Sequence, residues 1–472
     1  MNDYAPTTAF TAGTAVAPVD ASSTSLLTDM YELTMLQGAL ASGTATRRSV
    51  FELFGRRLPA SRRFGVVAGT GRLLNAIEAF TFTPSQIDFL HRTGVVNDET
   101  LDFLRDYRFT GTVRGYAEGE CYFAGSPLLT VEGTFAEACI LETLALSIYN
   151  YDCAVASAAS RITIAAHGRP CVDFGARRAH EQAAVAAARA SVVGGFVGTS
   201  NLEAGLLYGI PTVGTSAHSF TLLHDSEEDA FAAQVASLGP STTILVDTYD
   251  IATGVERAVK AARAAGGELG AVRLDSGDLV AEAFKVRAQL DALGATSTKI
   301  TVTNDLDEHA IAALGAAPVD SYGVGTKLVT GSGRPTAALV YKLVEREGAD
   351  GTMEEVAKFS SGGKSTVGGR KWAGRTLTSE GTATEELVVS SSSQEQGLAA
   401  LSESGARPLQ VLLVDEGRII EEHRGKGALS AAAERHRAAR AELPYDAWRL
   451  SDGESALPTR HVDLDGRSAT RR

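Results

Sequence analysis

Residues 242–278 read TTILVDTYDIATGVERAVKAARAAGGELGAVRLDSGD, and this stretch decides the fold. It begins with an apolar, β-branched run at Thr242–Val246 and continues with an Ala-rich run of helical spacing at Ile251–Ala265. A second strand-like run follows at Ala271–Leu274. A strand, a helix and a strand in this order indicate two parallel strands joined by a right-handed crossover. The stretch therefore predicts an α/β fold built on a parallel sheet.

The same alternation of strand and helix continues on both sides of this stretch. One of the helical runs is predicted over Phe220–Ala236, between the third and fourth strands. Closure of the strands into a barrel and an open, doubly wound sheet both fit this rhythm. The seven predicted strands are Cys171–Phe174, Gly195–Val197, Thr212–Val213, Thr242–Val246, Ala271–Leu274, Lys299–Thr303 and Ser321–Val324.

The chain on either side of this region is predicted to form a second domain of α+β type. Residues 24–150 form its N-terminal part and residues 341–450 its C-terminal part, on either side of a catalytic domain at 151–340. Residues 1–23 are rich in Ala, Thr, Ser and Pro and lack the pattern of a signal peptide, which predicts a disordered leader. Residues 451–472 are predicted to be a tail.

Composition excludes several classes of function. The chain has 472 residues, enough for about two domains. Its net charge of −13 argues against a nucleic-acid-binding surface, although local clusters of Arg and Lys can still bind anionic substrates. No apolar run approaches the roughly 20 residues of a membrane span. The four cysteines form no CxxC pair, which indicates buried, reduced thiols in a cytosolic protein.

Polar clusters follow the ends of the predicted strands. In parallel α/β folds the carboxyl ends of the strands are where ligands bind. Any one cluster can be explained as the cap of the following helix, but seven clusters in succession favour a shared active site. The clusters are Gly175–Arg178, Thr199–Asn201, Ser216–His218, Asp247–Asp250, Asp275–Asp278, Asn304–Asp307 and Gly323–Lys327.

The last three strands carry candidate ligands of a phosphorylated sugar. The Gly323-x-Gly325-Thr326 turn exposes backbone amides that can hold a phosphate, although it matches neither a Walker loop nor a dinucleotide fingerprint. Arg273 and Asp275 alternate along one strand, so they share a face. Arg273 is suited to a phosphate or carboxylate, and Asp275 to a sugar hydroxyl or hydrated magnesium. The alternative is a structural Arg–Asp pair, followed by a helix cap at Asp278.

Two further strand ends carry an aromatic ring and an imidazole. Phe174 can stack on a flat heterocycle, and the guanidinium groups of Arg177 and Arg178 can bind a carboxylate or pyrophosphate. A core Phe with surface arginines is the alternative. His218 follows a strand among candidate phosphate ligands, which favours a nucleophile or general acid over a structural histidine.

Five motifs together resemble the motif series of the nicotinate phosphoribosyltransferases, over roughly residues 24–375. Enzymes acting on nicotinamide or quinolinate, and a non-catalytic nucleotide-binding barrel, are the competing interpretations. The resemblance implies an irregular, TIM-like seven-stranded α/β barrel, flanked by an α+β domain built from both chain ends. The motifs are Thr28–Thr34, Asp173–Arg178, Gly214–Ser219, Val272–Asp278 and Tyr322–Thr326.

The resemblance also implies an activity. Nicotinate, phosphoribosyl pyrophosphate, ATP and water would give nicotinate mononucleotide, pyrophosphate, ADP and phosphate, the first step of NAD salvage from nicotinate. Mg²⁺ would be the cofactor and ATP a co-substrate. A cytoplasmic homodimer with shared active sites, and no nucleic-acid or membrane partner, is expected.

Residue roles follow from the matching motifs. His218 would accept phosphate from ATP, while Asp275 and Asp247 would contact the ribose and magnesium. Tyr31 of the partner subunit would stack on the pyridine ring opposite Phe174. The resemblance places Ser200 where the related nicotinamide enzyme carries an Asp. A neutral Ser at this position favours a carboxylate substrate. The remaining substrate contacts would be Arg177, Arg273, Asp305, Gly323, Gly325 and Thr326.

Some positions depart from the family or have weaker support. Lys342 and Lys364 are candidate phosphate contacts, for which surface ion pairs are the alternative. Relatives often have Gly where this chain has Asn304, and the Asn side chain puts close backbone approach to a phosphate in doubt. Asp29 and Glu32 resemble a capping box that would begin the first helix.

Overall fold

The computed structural model describes residues 23–358 and 366–466, so the predicted leader up to residue 22 and the candidate Lys364 lie outside the described residues. The N-terminal part mixes short helices with antiparallel strands. Its elements are α1 (Met30–Ala41), β1 (Arg48–Gly55), β2 (Gly65–Val66), α2 (Thr70–Glu78), α3 (Pro84–Thr93), α4 (Asp98–Arg105), β3 (Thr112–Tyr116), β4 (Cys121–Tyr122), β5 (Pro127–Thr134) and α5 (Phe135–Cys139).

The central part alternates strands and helices, as the sequence predicts. All its strand pairs are parallel, in the order β7-β6-β11-β10-β9-β8. The elements are α6 (Glu142–Ala165), β6 (Cys171–Asp173), α7 (Glu181–Val193), β7 (Gly198–Thr199), α8 (Leu202–Tyr208), α9 (His218–Leu223), α10 (Glu227–Leu238), β8 (Thr243–Leu245), α11 (Ile251–Ala264), β9 (Ala271–Leu274), α12 (Leu279–Ala292), β10 (Lys299–Val302), α13 (Glu308–Ala313), β11 (Ser321–Val324) and α14 (Thr326–Val329).

Strands from both chain ends share one antiparallel sheet, in the order β13-β12-β1-β5-β3-β17-β18. A smaller sheet, β16-β14-β15-β19, lies beside it in the C-terminal part. Each of the two larger parts of the fold has its own hydrophobic core. The C-terminal elements are β12 (Leu339–Glu347), β13 (Met353–Glu355), β14 (Lys371–Leu377), β15 (Ala383–Ser390), α15 (Gln394–Glu403), β16 (Ala406–Pro408), β17 (Gln410–Asp415), β18 (Arg418–Ile419), α16 (Gly425–Ala441) and β19 (Thr459–Asp463).

The prediction of a seven-stranded barrel is not confirmed. The described parallel sheet has six strands, and the strand predicted at Gly195–Val197 lies instead at Gly198–Thr199. The strand predicted at Thr212–Val213 reduces to one parallel bridge between Thr199 and Thr212. The ladder is short because only two hydrogen bonds form, from Thr199 N–H to the Pro211 carbonyl and from Val213 N–H to the Thr199 carbonyl.

Helix caps account for part of four of the seven strand-end clusters. The side chains of Asn201, Asp250, Asp278 and Asp307 each accept a backbone N–H in the first turn of the following helix. These four residues therefore fit the capping interpretation. The residues that precede them in each cluster are left for another use.

Two elements cross the predicted domain limits. Helix α6 is a single helix of 24 residues that runs across the limit between residues 150 and 151. Strand β19 lies within the predicted tail and pairs in parallel with β15. Its Val462 packs on the small core around Trp372, which explains why this segment joins the sheet.

The helix predicted at Phe220–Ala236 is two helices. Ser226 begins the second helix because its hydroxyl accepts the Asp229 N–H, and the first helix, α9, begins at His218. The four cysteines are buried and free, as predicted, and burial raises the pKa of Cys121 and of Cys171 to about 12. Among the residues that the structure describes, no helix has the length and apolarity that crossing a bilayer requires.

Candidate active site

A cavity of about 500 Å³ opens at the carboxyl ends of the parallel strands. Loops from β6, β7, β9, β10 and β11, together with the segment before α9, form its walls. The cavity brings together most of the predicted site residues. Those lining it are Phe174, Arg177, Ser200, Arg273, Asp275, Asp305, Gly323, Gly325 and Thr326.

His218 lies beside this cavity, next to Asp275. Its Nε2 is 4.0 Å from Asp275 Oδ2, and its Nδ1 is 3.1 Å from Thr248 Oγ1. The side chain of His218 is 43% exposed, so one edge of the ring can reach a ligand. The imidazole therefore has a hydrogen-bond partner at Nδ1, and its Nε2 lies near a carboxylate of the neighbouring strand end.

Asp247 is buried and accepts two hydrogen bonds from the loop that follows β9. Its Oδ2 accepts the Asp275 N–H at 2.8 Å and the Ser276 hydroxyl at 2.7 Å. Asp247 Oδ1 is buried and has no hydrogen-bond partner in the structure. Thr303 Oγ1 donates to Asp275 Oδ1 at 2.6 Å. These bonds fix both carboxylates; Asp275 lines the cavity, whereas the predicted Asp247 lies behind it and is not part of the lining.

Arg273 supplies positive charge inside the cavity. Its guanidinium donates to the Ser216 carbonyl at 3.2 Å, while its Nε is buried without a partner. Burial lowers the pKa of Arg273, whereas the nearby Asp275 and Asp247 raise it and Arg177 lowers it further. A guanidinium remains protonated in proteins, so this incompletely paired cation favours an anionic ligand.

Gly323 is required by the packing of Phe174. A Cβ atom at position 323 would lie 2.4 Å from Phe174 Cδ2 and 2.6 Å from Thr303 Cγ2. Gly325 has no such conflict, because its Cβ atom would meet only the Phe174 carbonyl group, with the oxygen at 3.4 Å and the carbon at 3.8 Å. The glycine turn therefore lies directly against the aromatic side chain that is predicted to hold a heterocycle.

Sequence reasoning assigned no role to Asp173, which joins two loops of the site. It is fully buried. Its Oδ1 accepts the Gly175 N–H and its Oδ2 the Thr199 hydroxyl, both at 2.7 Å. Its backbone carbonyl also accepts the Ser200 N–H at 2.8 Å. The signal in the sequence was an acidic residue inside an apolar strand.

Thr248 and Thr303 were also assigned no role. Each is a hydroxyl residue at the end of a strand, and each contacts a predicted catalytic side chain, His218 or Asp275. Their positions beside acidic residues are a signal, but the partner of each hydroxyl depends on the three-dimensional register of the loops.

Tyr31 and Lys342 lie apart from the cavity lining. Tyr31 is 44% exposed on α1, and burial together with Glu142 raises its pKa to about 12. Lys342 Nζ pairs with Glu142 at 3.4 Å, which is the alternative that the sequence left open for it. The predicted capping box is wrong, because the Asp29 side chain makes no cap bond and the buried Glu32 accepts from Thr28 and Thr143 instead.

Comparison with known proteins agrees with this geometry. The nicotinate phosphoribosyltransferase N-terminal domain matches residues 26–150, and the nicotinate phosphoribosyltransferase family domain matches residues 170–361. A nicotinate phosphoribosyltransferase of Mycobacterium tuberculosis is 51% identical over 445 residues, which cover 93% of this chain and 95% of that relative.

The chain belongs to the nicotinate phosphoribosyltransferase family. The Bacillus subtilis nicotinate phosphoribosyltransferase is 38% identical over 356 residues, 74% of this chain and 72% of the relative. The crystal structure of human nicotinic acid phosphoribosyltransferase has the same fold, with a TM-score of 0.77 at 24% identity over 92% of this chain and 97% of the human one. The first motif of the family series, which contains Tyr31, is the one that lies away from the cavity within a single chain.

Proposed function

We propose that the protein transfers the phosphoribosyl group of phosphoribosyl pyrophosphate to nicotinate. The observation that carries the proposal is the single cavity that is lined by an aromatic ring, a glycine turn and an incompletely paired guanidinium. A planar acid and a sugar carrying phosphates need these three kinds of group together.

The pyridine ring binds at the Phe174 end of the cavity. Phe174 stacks on the ring, and Arg177 pairs with the substrate carboxylate. Ser200 is neutral, and the nearby Asp173 directs both carboxylate oxygens away, to Gly175 and Thr199. A substrate carboxylate therefore meets no negatively charged group at this end of the cavity, which favours nicotinate over nicotinamide.

The sugar and its phosphates bind next to the ring, along the glycine turn that adjoins Phe174 and the strand ends beyond it. Gly323, Gly325 and Thr326 hold the 5′-phosphate, and Arg273 binds the pyrophosphate. Asp305 and Asp275 accept hydrogen bonds from ribose hydroxyls. These six residues place the reacting carbon between the aromatic ring and the guanidinium.

The reaction exchanges one bond at carbon 1 of the ribose. The bond to pyrophosphate breaks with its electron pair, and the pyridine nitrogen supplies the pair for the new bond. Positive charge develops on the sugar between these events, so the carboxylates of Asp247 and Asp275 stabilise it. Arg273 stabilises the negative charge on the departing pyrophosphate.

Asp247 and Asp275 also fit a magnesium ion held jointly with the substrate. Asp247 Oδ1 is a buried acceptor without a partner. The described residues contain no group of three or more His, Cys, Asp or Glu that could hold a metal. Such a pair suits Mg²⁺, which is often bound by one or two carboxylates plus substrate phosphates. When bound, Mg²⁺ would supply charge neutralisation at the pyrophosphate.

His218 is the proposed acceptor of phosphate from ATP. A neutral ring nitrogen attacks the γ-phosphorus, the bond to ADP breaks, and ADP leaves with that electron pair. Water later takes the phosphoryl group from the imidazole to give phosphate. Asp275, close to Nε2, couples the state of His218 to the sugar site, so that ATP hydrolysis drives mononucleotide formation.

We further propose a cytoplasmic homodimer that completes the active site. Helix α1 exposes Met30, Tyr31 and Met35, which a monomer would leave in water. Apolar side chains are also exposed on α8, on α9 and at Val213 of the cavity lining, and in this proposal α1 of the partner packs there with its Tyr31 over the pyridine. Those side chains are Leu202, Leu206, Val213, Leu222 and Leu223. In this proposal the Thr212–Val213 segment acts as the seventh strand of an irregular barrel.

The test is incubation with phosphoribosyl pyrophosphate and Mg²⁺, with nicotinate or nicotinamide and with or without ATP. Nicotinate mononucleotide and ADP should form together, and nicotinamide should be the poorer substrate. His218→Ala should abolish ADP release and ATP stimulation while slow transfer persists. Unchanged ATP stimulation in that variant would place the phosphoacceptor elsewhere. Absence of turnover with either pyridine, alongside nucleotide binding, would support a non-catalytic barrel.

A further inference from the structure

Asn304 has a backbone conformation that favours glycine. Its φ is +108°, beyond the left-handed helical region that Asn tolerates. Among the described residues, the other non-glycine residues with positive φ are His167, Ser332, Ala338 and Glu416, and Asn304 alone of the five lines the cavity. A strained residue at a candidate active site calls for a functional reason.

The surrounding loop holds Asn304 in this conformation. Thr303 donates its N–H to the Leu274 carbonyl at 2.8 Å and its hydroxyl to Asp275 Oδ1 at 2.6 Å. The Leu306 N–H then donates to the Asn304 carbonyl at 2.6 Å. Asn304 therefore lies between two fixed points, and its conformation is imposed by the structure on both sides.

The oxygen of the Asn304 side-chain amide is hydrogen-bonded, whereas its NH₂ group is not, within the described part of the chain. Its Oδ1 accepts the Asp305 N–H at 2.8 Å. A backbone N–H can only donate, so the oxygen must face it and the NH₂ group must point the other way. No hydrogen bond from this NH₂ group to the described residues is present, and the side chain is exposed at the cavity.

Asn304 and the glycine turn line the same cavity. In the parallel pair of β10 and β11, Thr301 pairs with Ser321 and Val302 with Tyr322. Continued by two residues, this register places position 304 opposite Val324, the residue before Gly325. A Cβ atom at Gly323 would also touch Thr303, which shows how closely the two loops approach.

We propose that the Asn304 side-chain amide donates a hydrogen bond to an oxygen of the substrate's 5′-phosphate. This inference rests on the proposed function, since it assigns a ligand to the phosphoribosyl site. A glycine at this position offers only its backbone, whereas Asn adds a donor to an anionic acceptor. The backbone strain persists because the donor is needed in this position.

Asn304→Gly relieves the backbone strain and also removes the donor. The first effect appears in the melting temperature and the second in ligand binding. Its melting temperature should rise by about 1–3 °C, while its Kd for ribose 5-phosphate should weaken about tenfold. Asn304→Asp is the matched variant: it keeps the acceptor for Asp305 N–H but directs an oxygen at the phosphate. Its melting temperature should stay within about 1 °C, and its binding should weaken more than that of Asn304→Gly.

The experiment measures calorimetric binding of phosphoribosyl pyrophosphate, ribose 5-phosphate and inorganic pyrophosphate to the full chain and both variants, with thermal melts alongside. The loss should appear with the first two ligands and spare pyrophosphate. A raised melting temperature with unchanged binding would overturn the assigned contact, and so would a loss confined to pyrophosphate. A lowered melting temperature in Asn304→Gly would refute the strain argument. Failure of the unmodified protein to bind phosphoribosyl pyrophosphate would instead refute the proposed function.

Discussion

Replacing Asp173 by Ala tests whether one buried carboxylate organises the pyridine end of the cavity. The substitution leaves the Gly175 N–H and the Thr199 hydroxyl without the acceptor that each now reaches at 2.7 Å. An unsatisfied buried polar group costs about 1–3 kcal/mol. Two such groups predict a loss of about 2–6 kcal/mol in the free energy of unfolding, because Asp173 is fully buried.

The same change should act selectively on nicotinate. The Asp173 carboxylate joins the loops of Phe174 and Ser200, and neither of its hydrogen bonds goes to the glycine turn that is proposed to hold the 5′-phosphate. We expect the KM for nicotinate to rise about tenfold while the KM for phosphoribosyl pyrophosphate changes less than about twofold. Denaturant unfolding and initial rates with each substrate varied in turn measure both effects.

Two matched variants sharpen this prediction. Asp173→Asn keeps the shape and can still accept the Gly175 N–H, while its NH₂ group can donate to the Thr199 oxygen, so its cost should be about 1 kcal/mol. Thr199→Val removes one of the two donors and should cost about half as much as Asp173→Ala. The combined variant should cost less than the sum, because the two changes share one hydrogen bond. The reasoning would be refuted if Asp173→Ala kept the free energy of unfolding of the unmodified protein and its KM values for both substrates.

Two further predictions concern selectivity and pH. Ser200→Asp should place a like charge opposite the nicotinate carboxylate, lowering kcat/KM for nicotinate about a hundredfold and for nicotinamide far less; equal losses on the two substrates would contradict this role. Burial raises the pKa of Glu32 to about 7, so its contribution to stability is present at low pH and is lost as pH rises from about 4.5 through about 7. Glu32→Gln should flatten the fall in unfolding free energy between pH 5 and pH 8, measured by urea titration, and an unaltered pH profile would contradict this.

The sequence predicted the parallel sheet and the convergence of its strand ends because both depend on local patterns. Apolar, β-branched runs located β9 at Ala271–Leu274 and β11 at Ser321–Val324 with the bounds that the structure has. The same patterns could not tell that Thr212 contributes one bridge only, since strand length depends on which backbone groups find partners. Ser226 interrupted a predicted helix because its hydroxyl caps the second half.

Site residues were predicted by type, but their partners were not. Asp275 was recognised as an acid at a strand end, whereas its bond to Thr303 joins residues 28 positions apart. Asn304 was recognised as a departure from glycine, but its φ and the orientation of its amide follow from bonds on both sides of the loop. Such contacts depend on the register between neighbouring strands, which a single sequence does not specify.

Buried side chains join neighbouring strand ends in pairs across the site. Asp173 joins the end of β6 to that of β7, and Asp247 joins the end of β8 to that of β9. Thr303 joins the end of β10 to Asp275 beyond β9. Loops are ordinarily the mobile part of a domain, so these bonds give the site a rigidity that the short strands cannot supply. Because each bond spans two strand ends, losing one should displace the groups on both loops. Substitution of a residue that touches no substrate should therefore alter the KM for the one substrate that those loops bind.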